Sequence, residues 1–195
     1  LARYPSREEI ARLLEATRAE REERLLSTLI RFLYGSGLRL SEALSLRVEG
    51  LVWEGELPAA VRVVGKGDKE RLVPLSPTAQ EALAEWLAPP RPSRARGPLF
   101  AFANPAKPAH AGRVPSASWV EKAFARLAQR ARVDRARATP HKLRHAYSTA
   151  LVEAGVALDA VKDLLGHASI STTQIYLHAT AGRLAEAARK LPRLP

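Results

Sequence analysis

The chain has 195 residues, no cysteine and no methionine, and 31 Lys and Arg against 20 Asp and Glu, a formal charge of +11. That length is enough for one domain with its own hydrophobic core, and the missing cysteines exclude disulfides and thiolate metal sites. The cationic surplus points to a polyanionic partner, because Lys and Arg gain affinity by releasing counterions condensed on phosphate.

Ser6-Arg7-Glu8-Glu9 has the form of a capping box, and Ile10, Leu13, Leu14 and Thr17 follow at helical spacing. A second helix is expected through Leu25, Leu26, Leu29, Ile30 and Leu33, stopped at Gly35 and Gly37. A third should run from near Leu38 to about Leu46. The pattern then changes. Val61, Val63 and Val64, then Leu72, Val73 and Leu75, flank a Gly65-Lys66-Gly67-Asp68 turn and predict a β-hairpin in a small antiparallel sheet. Ser76-Pro77 opens another helix, with Leu83, Trp86 and Leu87 facing inward.

Pro89 to Gly97 and Asn104 to Pro115 are expected loops. Trp119, Phe124, Leu127 and Ala128 mark a helix to about Ala131. Thr139-Pro140 resembles an N-cap and first helical position, and the carboxy-terminal third should be helical with breaks at Gly155, Gly166 and Gly182. Near the end, Leu184, Ala187, Ala188 and Leu191 form an apolar stripe, which either packs on its own domain or docks on a neighbouring protomer. The expected fold class is α+β: a mainly helical domain over residues 1–195 with one small antiparallel sheet. No apolar run approaches bilayer length and no signal-like start is present, so a soluble, cytoplasmic protein is expected. Without methionine, the chain is expected to be a piece of a longer product.

Four boxes stand out. They are Gly35-Ser36-Gly37-Leu38-Arg39-Leu40-Ser41-Glu42-Ala43-Leu44, then Gly65-Lys66-Gly67-Asp68-Lys69-Glu70-Arg71. Thr139-Pro140-His141-Lys142-Leu143-Arg144-His145 follows, and last comes Leu165-Gly166-His167-Ala168-Ser169-Ile170-Ser171-Thr172-Thr173-Gln174-Ile175-Tyr176. In this order they resemble the tyrosine recombinase (phage integrase) family, with wording nearest the Xer-like branch, cellular enzymes that resolve chromosome dimers. The chain departs from the family's commonest wording at Ala146-Tyr147-Ser148, a change expected to touch packing and leave the site intact.

The resemblance implies a site-specific recombinase that breaks and rejoins DNA through a 3′-phosphotyrosine. Tyr176 would be the nucleophile: a phenol ionises near pH ~10 and becomes useful once cations favour its oxyanion. Arg39 and Arg144 would clamp the scissile phosphate, each offering paired donors to non-bridging oxygens. His141, at i, i+3 from Arg144 on one helix face, is the candidate proton acceptor, and His167 a further donor to the phosphate. Lys66, on the hairpin turn, would protonate the leaving 5′-oxygen, with Lys69 a rival for that role. Glu42 would orient the arginine or the lysine, unless it forms only an ordinary helix ion pair. His145 is an orienter of the site or a core residue.

No cofactor is implied. A zinc reading of His141 and His145 lacks the glutamate between them and a third ligand, and Lys142 puts a cation where another would bind. The implied partner is double-stranded DNA at the nucleoid. A synaptic tetramer would assemble on it through residues 184–191, and a separate amino-terminal clamp domain is presumed absent from this chain. A mobile-element or phage integrase, a type IB topoisomerase-like enzyme and a non-catalytic DNA-binding module are the alternatives.

Overall fold

Ser6 does form the expected cap: its hydroxyl accepts from the Glu9 N–H at 3.2 Å, and the Glu9 carboxylate accepts from the Ser6 N–H at 2.9 Å. This starts α1 (Arg7–Thr17) in a computed structural model that describes residues 4–18, 23–65, 70–88, 96–102, 112–166 and 177–194, with backbone alone for 177–181. Next comes α2 (Glu23–Ser36), which is the axis of the core. Leu26, Leu29, Ile30, Phe32 and Leu33 are fully buried, and α1, α4 (Pro77–Leu87) and α6 (Pro140–Glu153) all pack on it.

Gly35 does not stop this helix, contrary to the expectation from sequence. It lies where α4 crosses, and a Cβ there would come within 2.6 Å of the Ser76 hydroxyl and 2.7 Å of the Ala79 methyl. Close approach of two helices offsets the roughly 1 kcal/mol that glycine costs a helix interior relative to alanine. The stop is Gly37 alone, at φ +63, where the left-handed conformation is cheap without a side chain. The short α3 (Leu40–Ser45) follows at once.

Beyond a 3-10 turn at Val48–Gly50, β1 (Leu51–Glu54), β2 (Leu57–Val64) and β3 (Glu70–Pro74) form an antiparallel sheet in that order. Val61 faces Leu51 on one side and Val73 on the other; Val61, Val63 and Val73 point inward, while Arg62, Val64 and Leu72 are exposed. The hairpin's last pair is Val64 with Glu70. Lys66 and Lys69 lie between them, outside the described residues.

Ser76 caps α4 and Ser116 caps α5 (Ala117–Arg130), whose Val120, Ala123, Phe124, Leu127 and Ala128 are buried. After α6, Gly155 and Gly166 end their helices at φ +78 and +73, as expected, on either side of α7 (Leu158–Leu164). The expected break at Gly182 is not there: α8 (Leu177–Arg189) runs through it. Gly182 is exposed with nothing within 4 Å, so it costs only helix propensity, and burial of Ala187 and Ala188 holds the helix in place. The carboxy-terminal stripe belongs to the chain's own core here: α8 packs on α7 and β3, Ala187, Ala188 and Leu191 are buried, and Leu184 packs against them. The fold is therefore α+β, mainly helical, with one small antiparallel sheet. Among the described residues no helix is long and apolar enough to cross a membrane.

Candidate active site

The site is built outward from α6. Thr139 is its N-cap, accepting from the Lys142 N–H at 3.3 Å, and Pro140 occupies the first turn. Burial of Leu143, Ala146, Tyr147 and Leu151 seats the helix on α2 and leaves His141 and His145 on its exposed side. Arg144 sits at the boundary, only 7% exposed. Its Nη1 donates to the Gly37 carbonyl and its Nη2 to the Leu165 carbonyl at 2.6 Å. Burial, then the nearby charge of Arg39, lowers its pKa to about 10, so it remains a cation at neutral pH.

One turn on, the Tyr147 ring lies against Gly37, where a Cβ would come within 2.4 Å of a ring carbon. A ring and a guanidinium from α6 thus fix the loop that carries Arg39. The Tyr147 hydroxyl is buried with no partner among the described residues, and burial raises its pKa well above the ordinary phenol value. Tyr147→Phe keeps the ring and removes an unbonded donor, so it should preserve stability or add about 1 kcal/mol. Urea melts of the two proteins decide it; a loss of stability would mean that the hydroxyl is bonded.

Arg39 is the N-cap residue of α3 and is exposed. An arginine cannot accept a hydrogen bond, so only the reciprocal half of a capping box forms: Glu42 accepts from the Arg39 N–H at 2.9 Å. Its other oxygen accepts from Arg39 Nη1 at 3.3 Å and from Arg71 Nη2 at 2.8 Å. Burial acts to raise the Glu42 pKa, but the Arg39 N–H and the Arg71 and Arg39 guanidiniums outweigh it and hold the carboxyl below its ordinary range. Glu42 is more than an i, i+3 ion pair, since it gathers partners from two elements.

His145 is exposed, which removes the core-residue reading. Its Nε2 lies 3.0 Å from Nε2 of His141, with the rings edge to face. At that separation one ring nitrogen can donate to the other, in the direction that their tautomers set. Partial burial, then the charges of His141, Lys142 and Arg144, holds the His145 imidazole below its ordinary pKa.

Arg39, His141 and Arg144 line one open groove of about 600 Å³ at the amino terminus of α6. Arg135 lines it as well, a cation that the motifs did not single out. Three arginines and a helix amino terminus, against the single carboxylate of Glu121 in the same lining, can seat an anion there. Lys66, His167 and Tyr176 lie outside the described residues. Arg71 has a place in the site that its box did not suggest. It shares the inward face of β3 with buried Val73, and an arginine at a core-facing register position is the signal that could have found it. Among the described residues no group of three or more His, Asp or Glu is placed to share a metal ion.

The Phage integrase family matches the chain over residues 4–183. A tyrosine recombinase XerD from Corynebacterium glutamicum is 38% identical over 158 residues, 81% of this chain and 49% of that protein. A tyrosine recombinase XerC from Erythrobacter litoralis is 40% identical over 185 residues, 92% of this chain and 56% of that protein. The chain thus spans about half the length of these curated relatives. Among solved structures, the integrase from mycobacterium phage Brujita superposes with a TM-score of 0.70 at 29% identity, covering 98% of this chain and 58% of that one. The XerH site-specific recombinase bound to difH substrate, a pre-cleavage complex, superposes with a TM-score of 0.64 at 25% identity, covering 93% of this chain and 54% of that one. All four sequence boxes fall within the matched span, and the chain belongs to the Phage integrase family, the tyrosine recombinases.

Proposed function

We propose that this chain is the catalytic part of a site-specific DNA recombinase, acting in the cytoplasm on nucleoid DNA in Xer-like resolution of chromosome dimers. The observation that carries the reading is the groove where Arg39, His141 and Arg144 converge. In the proposed reaction the Tyr176 oxygen attacks phosphorus and the bond to the 5′-oxygen breaks, leaving a 3′-phosphotyrosine. The tyrosine proton passes to His141, which His145 orients, and Lys66 gives a proton to the leaving oxygen. Arg39, Arg144 and His167 stabilise the charge that grows on the non-bridging oxygens, with Glu42 orienting Arg39. Phosphorus exchanges one oxygen for another of similar energy, so the step reverses without a cofactor or a metal.

The remainder of the proposal concerns assembly. A separate amino-terminal domain closes a clamp around the duplex, and the protein forms a synaptic tetramer on DNA. Residues 184–191 then leave the core seat they hold here and dock on a neighbouring protomer. The deciding experiment presents full-length protein with a nicked duplex bearing its selected binding site, in EDTA. A covalent protein–DNA adduct on the 3′-phosphate supports the reading, and its absence refutes it.

Binding itself should be dominated by phosphate contacts, given the charge of +11 and the arginine-lined groove. Log affinity should fall linearly with log salt, by about 0.9 for each phosphate neutralised. Fluorescence anisotropy across a salt series measures that slope; an affinity indifferent to salt would remove the phosphate-contact reading.

A further inference from the structure

We propose that Arg71 is a positioning residue: through Glu42 it sets where the Arg39 guanidinium stands in the groove. This rests on the recombinase reading above for its kinetic consequence, though not for the contact itself.

Three observations carry it. Arg71 Nη2 holds Glu42 at 2.8 Å, closer than Arg39 Nη1 holds the same oxygen at 3.3 Å. The Glu42 side chain is only 12% exposed and that of Arg71 24%, so the pair is shielded from solvent far more than the half-exposed Arg39. Finally, the Arg71 guanidinium lies against Gly166, where a Cβ would meet its Nε, Cζ and Nη2 at 2.8 to 3.0 Å. Gly166 follows Leu165, whose carbonyl accepts from Arg144. Two arginines therefore hold the same turn, Arg144 by a hydrogen bond and Arg71 by packing, and that turn leads directly into His167 in the sequence.

The chemistry follows from competition for one carboxylate. While Arg71 holds the shared Glu42 oxygen, Arg39 is only loosely paired and keeps most of its N–H donors for an anion in the groove. Without Arg71 the carboxylate is free to take Arg39 as a full ion pair, drawing the guanidinium out of position and cancelling part of its charge. A displacement of about 1 Å at a reacting group can cost on the order of 10²-fold in rate.

The test is single-turnover cleavage of the nicked substrate by full-length protein. Arg71→Met fills the same space without charge, so a fold built only on packing would survive it. It should cleave about 10²-fold more slowly with DNA affinity nearly unchanged. Arg71→Lys, which still donates to Glu42, should recover part of the rate. Arg71→Met/Glu42→Gln should be no slower than Arg71→Met alone, because no carboxylate remains to withdraw Arg39. Effects that multiply would overturn the proposal. So would recovery of Arg71→Met on a substrate with a bridging 5′-sulfur, which would place Arg71 on the leaving-group side. A ¹³C titration of the Glu42 carboxyl tests the link without cleavage: Arg71→Met should move its midpoint upward, and an unmoved midpoint refutes the contact. If the wild-type protein forms no adduct, the recombinase reading fails, and the titration still decides the Glu42 link.

Discussion

Tyr176→Phe should abolish the covalent adduct on a nicked substrate while leaving DNA binding close to that of the wild type. The substitution removes one oxygen and keeps the ring, so a lost adduct with retained binding isolates the nucleophile. Arg39, Arg144 and the amino terminus of α6 line the groove, and in the proposed reaction they would favour a phenolate and hold a phosphate whose charge is growing. The hydroxyls of Tyr147 and Ser41 serve as internal controls. Tyr147 is fully buried with its pKa raised by that burial, so it can neither reach DNA nor ionise readily. Ser41 lines the groove and is exposed, which makes it the residue to suspect if an adduct persists in Tyr176→Phe. The reaction should proceed in EDTA. A wild-type adduct that EDTA eliminates would overturn the metal-free mechanism, whatever the tyrosine variant does.

The parts of this fold that could be read from sequence are those decided within a few residues. Ser6, Ser76 and Thr139 each announce a helix start because a cap is satisfied by a backbone N–H three residues on. The alternation of Val61, Val63 and Val73 announces the sheet in the same local way. Glycine misled where the deciding partner was distant: Gly35 reads as a stop until Ser76 and Ala79 come against it, and Gly182 until the burial of α8 is known.

The same division holds in the site. Arg39, His141 and Arg144 were nameable from their boxes, and the structure does bring them to one groove. That Arg144 also ties down Gly37, 107 residues earlier, and Leu165, 21 residues later, has no local signature. Arg71 was hidden likewise, because its partner Glu42 lies 29 residues away on another element. An arginine committed to two backbone carbonyls is held in place, and in the proposed reaction that preorganisation would let its remaining N–H donors act on a transition state.

Lys66→Ala should slow cleavage of ordinary DNA by roughly 10²- to 10⁴-fold, the span of general acid catalysis. Lys66 follows β2 and precedes β3, and among the lysines here it is the one whose Gly-Lys-Gly context resembles the family's hairpin box. An alkoxide leaves a phosphate poorly unless it is protonated as the bond breaks, whereas a thiolate leaves well without a proton. On a substrate with a bridging 5′-sulfur, Lys66→Ala should therefore recover most of its rate. Arg39→Ala and Arg144→Ala should not recover, because in the proposed reaction both arginines act on the non-bridging oxygens, which the sulfur does not change. Arg144→Ala carries a second penalty, since the Gly37 and Leu165 carbonyls lose their donor, so its melting temperature must be measured beside its rate. Lys69 is the rival three residues on. If Lys66→Ala stays slow on both substrates while Lys69→Ala is slow only on ordinary DNA, the acid is Lys69. If neither lysine variant responds to sulfur, the proton comes from outside residues 66–69.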